Sequence, residues 1–163
     1  MTLWDGQCVG LLAKSKSITL KTALSKEQQP VFADTSLIER VTQNLINNAL
    51  KFTPAGCRII IQTNKAKRGI EVSVSDSGIE IPEEQKELVF GRYYKGHGFI
   101  KYQRRTELGL AIAKKILDLH NYSLVLHSRV NEGTCFAFGM PLYQRNDFFI
   151  SQGHFAITFD TSP

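Results

Sequence analysis

Apolar and polar positions alternate over residues 18–24, with Ile18, Leu20 and Leu24 on one side, which predicts a half-buried strand. Val31, Phe32 and Ala33 form a second short apolar piece after Pro30, and Asp34 then offers an N-cap. From Leu37 the period changes. Ile38, Val41, Leu45, Ala49 and Phe52 recur at helical spacing until Pro54 and Gly56 stop the pattern, so residues 37–52 are expected to be a helix. Residues 58–63 and 69–75 read as a hairpin joined by a basic turn at 64–68, and a short acidic helix is expected over 83–90. Residues 91–105 hold glycines and aromatics without a period, which predicts a mobile, lid-like loop. A helix over 108–119, apolar nearly all round, is expected to end at His120 and Asn121, since asparagine tolerates the left-handed backbone that closes many helices. Strands at 124–130 and 134–140 around Asn131, Glu132 and Gly133 complete the plan. Strands in hairpins with helices of this kind predict a two-layer α/β sandwich, with a mixed, mostly antiparallel sheet and helices on one face.

Two ends fall outside that plan. Residues 1–15 are either the remnant of a preceding helical segment or a leading strand, and Trp4, Leu11 and Leu12 predict packing. Residues 143–163 form an extension in which 154–159 partly alternate, so they either add an edge strand or contact a neighbour. The main domain is expected over 16–142.

At 163 residues, 42% apolar and 21% charged, the chain suits one soluble domain with a single core. It lacks an apolar run near the ~18 residues of a membrane span and a signal-like start, so a cytoplasmic location without membrane contact is expected. Cys8, Cys57 and Cys135 are widely spaced and odd in number, which argues against a disulfide framework or metal ligation and predicts buried free thiols. The formal charge of +5 is dispersed except at Lys95, Lys101, Arg104 and Arg105, a solvated loop or a phosphate-facing lid. No helix-turn-helix, finger or stacking-aromatic pattern accompanies it, so nucleic acid is not the expected partner.

Asn44 and Asn48 are four apart and project from one helix face, with Lys51 close to it. Two amides and an amine suit a metal-bound phosphate; the bland alternative is a solvated polar face. Asp76 ends the apolar alternation of Val72 and Val74 and opens a Gly-Pro turn, so its carboxylate is expected at a strand end, able to accept from an amino group such as that of adenine. Its bland alternative is turn capping. Gly78 permits positive φ or close backbone approach in either case.

These residues belong to four motifs in a fixed order. An asparagine helix at 37–52 is followed by a glycine box at 76–82, a phenylalanine box at 90–95 that includes Phe90, Arg92, Tyr93, Tyr94 and Lys95, and a second glycine box at 105–114. The closing stretch 128–142, with Gly133, Thr134, Phe136 and Phe138, also fits. The set resembles the catalytic ATP-binding domain of sensor histidine kinases, within the gyrase, Hsp90, histidine kinase and MutL ATPase superfamily, from about residue 16 to 142. The resemblance implies a Bergerat-type fold and a Mg-ATP site. It puts the magnesium ligand at Asn48, catalytic groups beside the phosphates at Asn44 and Lys51, and adenine at Asp76. Further nucleotide contacts fall on Gly78, Ile81, Tyr94, Lys95, Leu108, Gly109 and Leu110. It also implies a helical phosphoacceptor domain on the same or a partner chain, a response regulator downstream and a homodimeric full-length protein.

His97, His120, His127 and His154 all lack the phosphoacceptor context of such kinases, so the accepting histidine must lie elsewhere. The sequence also departs from the family pattern. Glu80 replaces the second glycine of the first box, while Arg105 and Glu107 replace the first two of the second. Glycines there let backbone N–H groups approach phosphate oxygens. Two readings follow. One is an ATP-dependent histidine kinase domain that donates the γ-phosphate, and the other a degenerate module with weak or no nucleotide binding that serves as a docking or allosteric element.

Overall fold

The computed structural model describes residues 6–25, 31–67, 69–90, 108–129, 133–142 and 155–157. The elements in chain order are α1 (Gly6–Ser15), β1 (Thr19–Ala23), β2 (Val31–Ala33), α2 (Thr35–Phe52), β3 (Arg58–Ala66), β4 (Gly69–Asp76), α3 (Leu108–Leu119), β5 (Leu124–Arg129), β6 (Gly133–Pro141) and β7 (Phe155–Ile157). The first segment is therefore helical. Val9 and Ala13, one turn apart, bury its inner face, while Leu11 and Leu12 stay exposed. Trp4 lies outside the described residues.

The main sheet has the order β1-β3-β4-β6-β5. The β3/β4, β4/β6 and β5/β6 pairs are antiparallel. β1 pairs parallel with β3, because the chain crosses over through β2 and α2 before returning. β2 and β7 form a separate antiparallel pair, and Val31 also bridges to Leu142. The alternating tail segment thus supplies a strand, but to β2 and not to the main sheet.

α2 begins where expected: the Asp34 side chain accepts from the Leu37 N–H at 3.0 Å, satisfying an otherwise orphaned donor of the first turn. Ile38, Val41, Leu45 and Ala49 form its buried stripe. Ile59, Ile61, Val72, Val74, Phe136, Phe138 and Met140 supply the sheet's inner face, and Leu110, Ala113 and Leu117 come from α3. α3 ends at Asn121, which takes the left-handed backbone at φ 58°. His120 Nδ1 donates to the Ile116 carbonyl at 2.8 Å, leaving Nε2 to accept the Asp34 N–H at 3.4 Å. One ring therefore ties the end of α3 to the start of α2.

Three expectations change. The β3/β4 hairpin is longer than its apolar pattern: Asn64, Lys65 and Ala66 are exposed, yet they pair with Glu71, Ile70 and Gly69. Backbone ladder bonds continue past the core where side chains carry no hydrophobic signal. Residues 83–90 form two 3-10 turns, Glu83–Gln85 and Leu88–Phe90, in place of one acidic helix. No side chain caps the first, and so short a stretch returns too few hydrogen bonds to nucleate an α-helix. The thiols are not buried: Cys8 is exposed, and Cys57 and Cys135 are half-buried. Cys8 falls off the Val9 and Ala13 face of α1, and Cys135 lies out of phase with the inward Phe136 and Phe138.

Candidate functional site

The C-terminal end of α2 and the segment leaving β4 meet around Gly78. Asp76, the last residue of β4, is buried at 7% exposure, and its Oδ1 accepts the Gly78 N–H at 2.9 Å. Burial raises its carboxyl from 3.8 to about 6, opposed in part by that hydrogen bond. A Cβ on Gly78 would lie 2.8 Å from Asp76 Oδ1, 3.0 Å from the Phe52 carbonyl oxygen and 3.1 Å from Thr53 Cα. Glycine is needed here because the turn packs directly on the end of α2.

The rest of that turn is fastened to the strands beneath it. Ser77 N–H donates to the Arg58 carbonyl at 3.0 Å, and Ser77 Oγ accepts the Arg58 N–H at 3.1 Å. Thr134 Oγ1 donates to the Ile79 carbonyl at 3.1 Å, and the Ile81 N–H donates to Ser128 Oγ at 2.8 Å. Ser128 Oγ in turn donates to the Gly133 carbonyl at 3.1 Å. Gly133 has φ +86°, and a Cβ there would meet the Asp76 carbonyl oxygen at 2.0 Å. The strand ends of β5 and β6 therefore support the backbone on both sides of Asp76. Sequence reasoning did not assign Ser128 this supporting role; two hydroxyl residues flanking a glycine hairpin tip are the signal that points to it.

Asn44 and Gly109 come together half-way along α2. A Cβ on Gly109 would lie 3.5 Å from Asn44 Oδ1 and 3.7 Å from its Cβ, so the first turn of α3 rests against the amide. Asn44 Nδ2 is buried and has no partner among the described residues. Asn48 is half-buried one turn further on, and the Lys51 ammonium stands 4.9 Å from the centroid of the Phe52 ring. Of the other expected contacts, Ile81 packs against the core, Leu110 is buried and Leu108 is half-buried. Tyr94 and Lys95, like Arg92, Arg105 and Glu107, lie outside the described residues. Phe90 at the foot of that segment meets Phe136 edge-on, with ring centroids 6.2 Å apart.

The described residues thus set a buried acceptor at the C-terminal end of α2 and a buried amide donor half-way along it, beside the first turn of α3. Such a pair suits a molecule that carries an amino-bearing ring at one end and an anion at the other. Residues 33–144 match the family described as histidine kinase-, DNA gyrase B- and HSP90-like ATPase. The chain belongs to that family. The adaptive-response sensory kinase SasA of Rippkaea orientalis is 34% identical over 133 residues, which is 79% of this chain and 33% of that protein. Drug sensory protein A of Synechocystis sp. is 33% identical over 144 residues, 82% of this chain and 22% of that one. Among solved structures, the nucleotide-free catalytic domain of histidine kinase ThkA matches with a TM-score of 0.70 at 31% identity, covering 83% of this chain and 88% of that one. The chain is a histidine kinase-type ATP-binding catalytic domain, and it spans about a third of the length of the curated SasA relatives it matches.

In this kinase-type domain no group of three or more His, Cys, Asp or Glu side chains able to hold a metal gathers among the described residues. A metal at Asn48 would take its other ligands from phosphate and water, which is the usual habit of magnesium. No described helix is long and apolar enough to cross a membrane.

Proposed function

We propose that this domain binds Mg-ATP between the C-terminal half of α2, the segment that follows β4 and the start of α3, and presents the γ-phosphate to a histidine carried elsewhere. The observation that carries this reading is Asp76: a buried carboxylate whose one hydrogen bond among the described residues is to Gly78, placed where an amino group can complete it. The phosphate end fits as well. Asn44 Nδ2 is a buried donor with no partner among the described residues, and the N-terminus of the 12-residue α3 beside it favours negative charge. Asn48 is the candidate magnesium ligand and Lys51 a phosphate neighbour, with Gly78, Ile81, Leu108, Gly109 and Leu110 as candidate nucleotide contacts, to which the motif adds Tyr94 and Lys95. Bound magnesium would neutralise phosphate charge. The chain's own part is to orient the nucleotide and exclude water.

The phosphoacceptor is proposed to be a helical domain of the same or a partner chain in a homodimer, with a response regulator as the downstream acceptor, all within the cytoplasm. Calorimetric titration with Mg-ADP tests the reading. Asp76→Asn should bind at least about tenfold more weakly, because the charged acceptor for the amine is lost. Equal affinities would remove Asp76 from the site.

Glu80 keeps the degenerate-module reading in play. It is half-buried and lies between the two residues whose backbone is pinned by Thr134 and Ser128, so its own backbone is held in place. A like charge about 4 Å from phosphate costs on the order of 4 kcal/mol at an effective dielectric near 20. The Glu80→Gly, Glu107→Gly double variant should therefore gain affinity for Mg-ATP while its affinity for adenosine, which lacks phosphates, stays unchanged. Equal gains for both ligands, or none, would mean that the glutamates do not act at the phosphates.

A further inference from the structure

Three buried side-chain polar atoms lack a partner among the described residues: Asn44 Nδ2, Thr53 Oγ1 and Ser73 Oγ. Asn44 already has a place at the phosphate end. Ser73 lies in mid-strand, level with Gln62 and Ala137 in the ladder and away from the end of α2. Thr53 remains, and it borders Asp76. Its backbone is committed, since its N–H closes α2 on the Ala49 carbonyl at 2.9 Å. Its hydroxyl has no partner among the described residues, although the residue is only 6% exposed. A buried hydroxyl without a partner in a native fold calls for an explanation.

Gly78 fixes where that residue stands. The position of a Cβ on Gly78 is 3.1 Å from Thr53 Cα and 2.8 Å from Asp76 Oδ1, so the two residues flank the same glycine and are separated by no more than the sum of those distances. They do not bond to each other. A carboxylate that can only accept and a residue whose buried hydroxyl can donate thus flank the same turn glycine; among the described residues the carboxylate is met by the Gly78 N–H and the hydroxyl by no partner.

We propose that Thr53 is a second base-reading residue, whose hydroxyl donates to the adenine ring nitrogen next to the amine that Asp76 accepts. This rests on the adenine-binding reading above and adds a specificity determinant to it. Adenine presents an amino donor beside a ring-nitrogen acceptor, the complement of a carboxylate and a hydroxyl. Guanine presents a carbonyl and a ring N–H at the same two positions, which sets its oxygen against the Asp76 carboxylate. Sites that hydrogen-bond a particular edge reject the mismatched one because their own buried groups are left unpaired.

The test uses adenosine and 1-deazaadenosine, which lacks that ring nitrogen, titrated into the parent protein, Thr53→Val and Thr53→Ser. The parent should prefer adenosine by about tenfold. Thr53→Val should bring the two affinities level by weakening adenosine alone, and Thr53→Ser should retain the preference. An undiminished preference in Thr53→Val, no preference in the parent, or equal weakening of both ligands overturns the assignment while leaving the ATP site standing. A parent that binds neither adenosine nor ADP overturns the ATP site and this inference together. Thermal unfolding without ligand supplies the independent control: Thr53→Val should unfold at the same temperature or higher, because the lost hydroxyl had no partner. A lowered transition, or failure to fold, would show a structural bond and overturn the inference.

Discussion

At the scale of single residues, Asp76 ties the pocket to the stability of the fold. Its folded-state carboxyl is raised from 3.8 to about 6, so between those values the folded protein holds a proton that the unfolded chain has released. The contribution of this group is fully present below about pH 3.8, declines as pH rises, and is gone above about pH 6, a difference of at most about 3 kcal/mol. Asp76→Asn cannot ionise and keeps an oxygen for the Gly78 N–H. It should match the parent near pH 4 and exceed it in stability at pH 8, which urea unfolding at the two values would show; curves that stay parallel would deny the raised carboxyl. The gain in stability and the loss of ADP affinity predicted for one substitution mark Asp76 as a group kept for binding at the expense of the empty fold. Adenine affinity should also fall below about pH 6, as the acceptor takes up its proton.

At the scale of elements, the support under the pocket is as testable as the pocket. Ser128 receives the Ile81 N–H and donates to the Gly133 carbonyl, so Ser128→Ala should leave the half-buried Ile81 N–H without this partner and cost about 1 kcal/mol. ADP affinity should fall with it, because the segment after Asp76 is released; thermal unfolding and calorimetry on the same sample would separate the two effects. The sequence made much of this level legible. The Ile38, Val41, Leu45 and Ala49 stripe, the Asp34 cap, the Asn121 end of α3 and the alternation at Val72 and Val74 are local signals, and each matches the element observed. The positions of Asn44, Asn48 and Lys51 on α2 and of Asp76 at the end of β4 were legible because helical spacing and a strand end place them without knowledge of the rest of the fold. What could not be read depends on contacts distant in sequence. Asn64 to Ala66 continue β3 only because a partner strand is present, and the orphaned state of Thr53 appears only when Gly78 packs on the end of α2. The turns at 83–90 were misread because acidic residues after a proline mark a helix start without ensuring enough length to sustain one.

At the scale of the whole molecule, the five-stranded sheet with α2 and α3 carries most of the core and the residues proposed to hold the nucleotide, while β2, paired with β7, adds Val31 and Ala33 to that core and leads into the N-cap of α2, at the end of that helix remote from Thr53. The family match stops at residue 144, so β7 belongs to a part of the chain beyond it. Removing residues 143–163 should therefore leave Mg-ADP binding intact and lower the unfolding temperature by about 3–8 °C, for a loss on the order of 1–2 kcal/mol. Loss of binding together with the tail would place the extension within the nucleotide site.

The pairing of β2 with β7 also has a temporal side. During synthesis β2 emerges well before the strand that pairs along its whole length, with α2, α3 and the rest of the five-stranded sheet between them in the chain. Until then the backbone of Val31, Phe32 and Ala33 offers ladder groups with no mate from this segment, the kind of unsatisfied strand that nascent chains shield or misjoin. The residues proposed above to hold and support the nucleotide lie between 44 and 134, so they can be in place before that closure. For this domain, competence to bind should precede the end of folding.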